Sequence, residues 1–243
     1  MRYQLYYWPT IQGRGEFIRL ALEEAGADYD DVARGSESDA MGMPALMRLL
    51  DSDAIDHPPF APPFLKGGNR IIGQTANILL YLGPRLGLVP EDETSRLWAH
   101  QLQLTIADLL SEIHDTHHPI ASGLYYKDQK PEALRRAHDF TGTRLPKFLG
   151  YFERILERNC GKGGDYVLGN ALSYVDLSLF QIIAGLLYAF PRTMKALAPV
   201  YPCLMALHQS VASRPRIAAY LASNRRLPFN RQGIFRHYAQ LDR

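Results

Sequence analysis

Apolar and polar positions alternate at the start of the chain. Tyr3, Leu5 and Tyr7 fall on one side of an extended segment, and Gln4, Tyr6 and Trp8 on the other. That period of two predicts an aromatic-rich strand, which Pro9 ends. After a loop through Gly13 the period changes: Ile18, Ala21, Leu22 and Ala25 recur at helical spacing, and Gly26 is placed to close the helix. A short strand is expected at 29–32. Residues 35–60 read as a compact loop with short helical turns, because Gly42 and Pro44 interrupt the apolar run before 45–50. Strands near 64–66 and 70–72 flank Gly67, Gly68 and Asn69, a hairpin signal. A helix over 75–82 follows and is expected to stop before Pro84.

Past the stretch PRLGLVPED at 84–92 the period is helical throughout. Trp98, Leu102, Ile106, Leu109 and Ile113 form one stripe, and Leu145, Phe148, Phe152 and Ile155 form another. The best-marked helix begins near Ser173. Ser173 is placed to cap its free amides, Asp176 stands three residues on, and Leu172 and Leu177 occupy the positions of a hydrophobic staple. The apolar stretch at 171–190 is long enough to span a bilayer, but it contains Asp176 and Gln181 and opens on this cap. It reads as a buried central helix, and no membrane association is expected.

The pattern therefore gives β, α, β, then β, β, α, followed by helices alone: a small mixed sheet at 1–83, a linker at 84–92 and an all-helical unit at 93–243. A length of 243 residues, 47% of them hydrophobic and 21% charged, suits an ordinary globular protein rather than a disordered or fibrous one. Two cysteines, Cys160 and Cys203, make no disulfide framework, and the opening MRYQLYYW lacks the progression of a secretory leader, so a cytoplasmic location is expected. The net charge of +2 conceals an asymmetry. Residues 214–243 hold seven arginines against one acid, a local +6 that leaves −4 on the rest. This basic tail also carries aromatic residues, yet no nucleic-acid recognition motif accompanies it. It is expected to pack across the helical unit, where it would narrow a pocket and attract anions.

Several motifs converge in order and spacing: YYWP at 6–9, GRGEFIRLALEEAG at 13–26, APPFL at 61–65, GQTANILLYLG at 73–83 and NALSYVDLSLF at 170–180. Together they resemble the cytosolic glutathione transferases of the tyrosine type over nearly the whole chain. The resemblance implies a thioredoxin-like α/β domain (βαβ-ββα) followed by an all-α domain. It also implies a homodimer, glutathione as co-substrate, a small hydrophobic electrophile as its partner and no resident metal. By the same resemblance Tyr7 stabilises the glutathione thiolate, with Tyr6 as the competitor on the opposite side of the strand. Arg14 lies near the glutathione site. The Ala61–Pro62 bond is cis, exposing Ala61 backbone groups to the cysteinyl part. Gln74 and Thr75 hold the γ-glutamyl group, Asp108 reaches the γ-glutamyl amine of a neighbouring subunit, and Asp176 serves folding.

The chemistry assigned to Tyr7 has a physical basis. A thiol of pKa about 8.5 is mostly protonated at neutral pH. Lowering that pKa by two units takes about 2.7 kcal/mol of preferential thiolate stabilisation, within reach of a phenolic donor and a helix N-terminus. His114, His117 and His118 lack the cysteine or carboxylate that would complete a familiar zinc spacing, so they are read as non-ligating, with His118 placed to touch the second substrate. The usual contacts for the glycyl carboxylate are not evident between 35 and 57, where Arg48 offers positive charge. Glutathione-dependent isomerisation, peroxide reduction and noncatalytic glutathione binding are the alternative readings.

Overall fold

The computed structural model describes residues 1–242. Its sheet has four strands in the order β2-β1-β3-β4: β1 (Tyr3–Tyr6), β2 (Tyr29–Asp31), β3 (Phe64–Gly67) and β4 (Arg70–Gly73). β1 runs parallel to β2 across α1 (Gly15–Ala25) and antiparallel to β3, with Leu5 opposite Leu65, and β3 turns back antiparallel into β4. The alternation along β1 divides the small core in two. Tyr3, Leu5 and Leu65 pack with Ile18 and Leu22 of α1 and with Ile78 and Leu82 of α3 (Thr75–Arg85). On the opposite face Tyr6 and Phe64 pack with Val32, Ala33 and Leu46. Leu46 belongs to α2 (Gly42–Leu50), the covering element on that side.

Two expectations fail here. The segment 42–50 is a helix rather than loop and turns, because Gly42 and Pro44 sit in its first turn, where a missing N–H costs no intrahelical bond. Likewise α3 does not stop before Pro84 but includes it. Pro84 lies in the last turn, and the Leu86 N–H still reaches the Leu82 carbonyl at 2.9 Å.

The remainder is helical: α4 (Glu93–Asp115), α5 (Lys130–Asp139), a π-helical turn at Phe140–Arg144, α6 (Leu145–Cys160), α7 (Tyr174–Ala189), α8 (Pro191–Leu197), α9 (Pro202–Ala212) and α10 (Pro215–Leu221). α7 is buried on nearly all sides, and its capping box forms as its spacing predicts. Asp176 accepts the Ser173 N–H at 2.8 Å and the Ser173 hydroxyl at 2.6 Å, and its other oxygen takes the Val167 N–H at 2.9 Å. Complete burial outweighs these donors and pushes the Asp176 carboxyl up to about 6. No helix among the described residues is long and apolar enough to cross a membrane.

The tail beyond α10 corrects a third expectation: it crosses both units, not the helical one alone. Arg225 and Arg226 pair with Glu23 and Glu16 of α1, and Arg214, just before α10, pairs with Glu24. These acids lie on a buried helix and need cations, which the positive tail supplies. Phe235 lies so close over Gly185 of α7 that a methyl group there would collide with its ring, and Asp242 accepts the Arg192 and Thr193 N–H groups at the start of α8.

Candidate active site

Tyr7 continues the line of β1 to the loop that opens α1. Its ring is 3% exposed, and its Oη accepts the Arg14 backbone N–H at 2.9 Å. Gly13 has φ of +44°, and a Cβ at that position would fall on the Tyr7 hydroxyl. Glycine therefore lets the loop close over the phenol. Burial raises the Tyr7 pKa, while the Arg14 N–H and the charges of Arg14 and Arg19 pull it down more weakly. The phenol is protonated at neutral pH. With its oxygen accepting from Arg14, its own O–H remains to donate elsewhere.

Tyr6 faces the other way. It stacks on Phe64 at 4.7 Å between ring centroids and donates to Gln4 Oε1 at 3.4 Å. Only Tyr7 of the two reaches the start of α1.

The Arg14 backbone joins Tyr7 to a second element. Its carbonyl accepts the Thr75 hydroxyl at 3.4 Å, and Thr75 is the first residue of α3. Gln74, just before it, holds φ of +68°, a conformation that costs a non-glycine residue of order 1–3 kcal/mol and that clusters at functional sites. Arg14, Gln74 and Thr75 line a cavity of about 300 Å³ together with Phe17 and with Gln103 and Leu104 of α4. The free amides at the start of α3 suit it to a carboxylate.

The other predicted residues are placed less simply. Ala61 is exposed and Pro62 buried, but the cis bond joins Pro62 to Pro63, not Ala61 to Pro62. Pro63 is the residue that leads directly into β3, and the proline run alone does not distinguish the two bonds, since either can be cis at similar intrinsic cost. The residue ahead of the cis bond is thus Pro62, which has no N–H to donate. Asp108 is exposed on α4 and lines a groove with Glu112 and Arg144, apart from the Thr75 cavity of its own chain. Arg48 is exposed on α2.

At the C-terminal end of α4, His118 lines a groove of about 580 Å³ with Lys127, Arg231, Arg236, Tyr125 and Tyr238. Among the described residues none of these three cations has a carboxylate partner within 4.0 Å. Sequence reasoning identified the tail's charge without assigning Arg231, Arg236 or Tyr238 to a site. The mixture of arginines and aromatics was the available signal. Beneath Tyr7, Arg19 is fully buried and paired with Glu16 at 3.2 Å and Asp31 at 2.7 Å, and Glu16 also takes Arg226 and the Tyr220 hydroxyl, so the tail is tied to the helix that carries the Tyr7 loop.

Comparisons with known proteins bear on the chain as a whole. Residues 114–224 match the family described as "Glutathione S-transferase, C-terminal domain". A Plasmodium falciparum protein named glutathione S-transferase is 25% identical over 225 residues, covering 91% of this chain and 95% of that protein. Xenopus laevis glutathione S-transferase P 1 is 27% identical over 224 residues, covering 92% and 93%. Among solved structures, a Pi-class glutathione S-transferase of Onchocerca volvulus superposes with a TM-score of 0.67 at 23% identity, covering 91% of this chain and 92% of its own. The family match over the helical domain, and similarity to these relatives over about nine-tenths of its length, place this chain in the cytosolic glutathione S-transferase superfamily.

Proposed function

We propose that the chain conjugates glutathione to small hydrophobic electrophiles, with Tyr7 donating its O–H to the glutathione sulfur. The observation that carries this reading is the Tyr7 hydroxyl itself: shielded, protonated, and accepting the Arg14 N–H at 2.9 Å. A donor fixed in a sheltered site favours an anion over the neutral thiol without reorganising when the anion forms. Tyr7 is then a hydrogen-bond donor, and the sulfur is the nucleophile.

In this reading glutathione lies across the small domain. Gln74 and Thr75 receive the γ-glutamyl carboxylate at the start of α3, and Arg14 adds positive charge. Ala61 and Pro62 border the cysteinyl part at the bend before β3. Asp108, outside the lining of its own chain's cavity, serves the γ-glutamyl amine bound by a second copy. A homodimer is further supported by apolar side chains that water would otherwise cover, Phe60 at 94% exposure and Leu97 and Leu104 on α4. The electrophile occupies the region bordered by His118 and the tail, where unpaired Arg231 and Arg236 favour acceptors that carry negative charge. We place the protein in the cytoplasm, in keeping with its two free cysteines.

The experiment is a substrate panel with product stoichiometry, paired with thiolate ultraviolet absorbance of bound glutathione against pH. Conjugation consumes one glutathione into each product. Return of glutathione unchanged, or its recovery as disulfide, assigns isomerisation or peroxide reduction instead. A bound thiol whose acidity equals that of free glutathione removes Tyr7 from the mechanism.

A further inference from the structure

The last turn of α4 gathers three imidazoles. His114 and His118 are four residues apart, the spacing that sets two histidines on one helix face. His117 joins them as the helix ends, where the N–H groups of His117 and His118 both return to the His114 carbonyl at 3.2 Å. Ring centroids are 5.1 Å apart for His114 and His117, 4.9 Å for His114 and His118, and 4.8 Å for His117 and His118. One nitrogen from each lies within 4.8 Å of the other two.

Two of the rings are oriented from behind. His117 Nε2 stands 2.8 Å from the Ile234 carbonyl, which accepts only if that nitrogen carries the proton. The lone pair is then on Nδ1, which is buried and has no hydrogen-bond partner. A buried acceptor left unpaired calls for an occupant, and a carbonyl fixing the tautomer of the opposite nitrogen is the usual outer-layer arrangement of a histidine ligand. His118 Nδ1 lies 3.3 Å from the amide nitrogen of the fully buried Gln129, whose two N–H groups it shares with the Ala121 and Leu124 carbonyls.

We infer that His114, His117 and His118 form a three-imidazole binding site for a borderline divalent cation of the zinc or copper kind. Imidazole nitrogens select such ions over magnesium or calcium, which take oxygen. Two nitrogens on one ion at about 2.1 Å in tetrahedral directions are about 3.4 Å apart, so small side-chain rotations bring the set together. Arg14 and Arg236 oppose a doubly charged ion here and favour water or an anion at its open position. The site revises the expectation that these histidines bind no metal; it shares His118 with the border of the proposed electrophile pocket, and metal binding in glutathione-free buffer is read apart from conjugation.

The test is isothermal titration of the tag-free, chelator-treated full chain with Zn²⁺ in glutathione-free buffer. Variants His114→Ala, His118→Ala and, as control, the exposed His138→Ala are titrated alongside. The expected result is one equivalent bound by the parent and by His138→Ala, and binding weaker by about tenfold or more in the other two. No binding by the parent, or equal binding by all four, overturns the site. Electron paramagnetic resonance of the parent with one equivalent of Cu²⁺ keeps the question decidable if a variant fails to fold. Nitrogen hyperfine structure from coordinated imidazoles is expected, and a spectrum of oxygen-only ligation overturns the assignment.

Discussion

The phenolic oxygen of Tyr7 accepts the backbone N–H of Arg14 at 2.9 Å, so a loop residue seven positions later decides which way the tyrosine can donate. One lone pair is taken by the peptide, and the hydroxyl hydrogen is left for another acceptor. The carbonyl of the same residue, in the next peptide unit, accepts the Thr75 hydroxyl. The Tyr7 hydroxyl and the N-terminus of α3 are therefore both held by the backbone of one residue.

Replacing Tyr7 by Phe removes the donor and keeps the ring. The bound thiol pKa is expected to rise by about two units and kcat/KM at neutral pH to fall about a hundredfold, with glutathione affinity nearly unchanged. Ultraviolet titration of the complex checks it. An unshifted thiol pKa in the variant refutes the assignment.

Gly13→Ala probes the same contact from the loop. The added methyl meets the Tyr7 hydroxyl, and alanine is strained at φ of +44°. A loss of about 1–3 kcal/mol in stability is expected, together with a fall in kcat larger than any change in glutathione Kd. Parent-like kcat in a folded Gly13→Ala protein would show that the hydroxyl's position is not critical.

Arg226 tests the tail. Its guanidinium is 2.5 Å from Glu16 Oε1 and 3.0 Å from Gln181 Oε1, and Glu16 is completely buried. Arg226→Met leaves Glu16 with Arg19 and Tyr220, so a cost of about 2–3 kcal/mol is expected, below that of stripping a buried charge of all its partners. Urea unfolding measures it, and a change under about 0.5 kcal/mol, the scale of an ordinary surface substitution, contradicts the role given to the tail.

Asp176 links stability to pH. Its carboxyl is pushed up to about 6 in the fold from an ordinary value of 3.8, so the native state holds the proton more tightly than the unfolded chain. This stabilisation is fully present below about pH 4 and is lost as pH rises through about 6. The stability of the parent relative to Asp176→Asn should fall by about 2 kcal/mol between pH 4 and 7. Denaturant unfolding of both proteins across that range decides, and a pH-independent difference contradicts the shift.

Wherever the deciding interaction is local, the sequence already carried it. The alternation of Tyr3 and Leu5 against Tyr6 fixed the two faces of β1, the Gly-Gly-Asn run fixed the hairpin, and Ser173 with Asp176 fixed the start of α7. Each depends on residues a few positions apart, whose geometry φ/ψ preference and hydrogen-bond reach determine. The helical content of 42–50 was also local, but it was obscured because glycine and proline mean opposite things in the first turn and in the middle of a helix.

What only the tertiary structure decided are the relationships across the chain. Two successive prolines are equivalent in sequence, and the cis bond lies at Pro62–Pro63, immediately before β3. The seven arginines of the tail announced charge but not destination. Arg214, Arg225 and Arg226 go to α1 because three of its glutamates are buried there, and burial is a property of packing that no local pattern contains. In the same way the spacing of His114, His117 and His118 allowed a solvated helix end, until the Ile234 carbonyl, 117 positions from His117, covered one ring and left its other nitrogen without a partner.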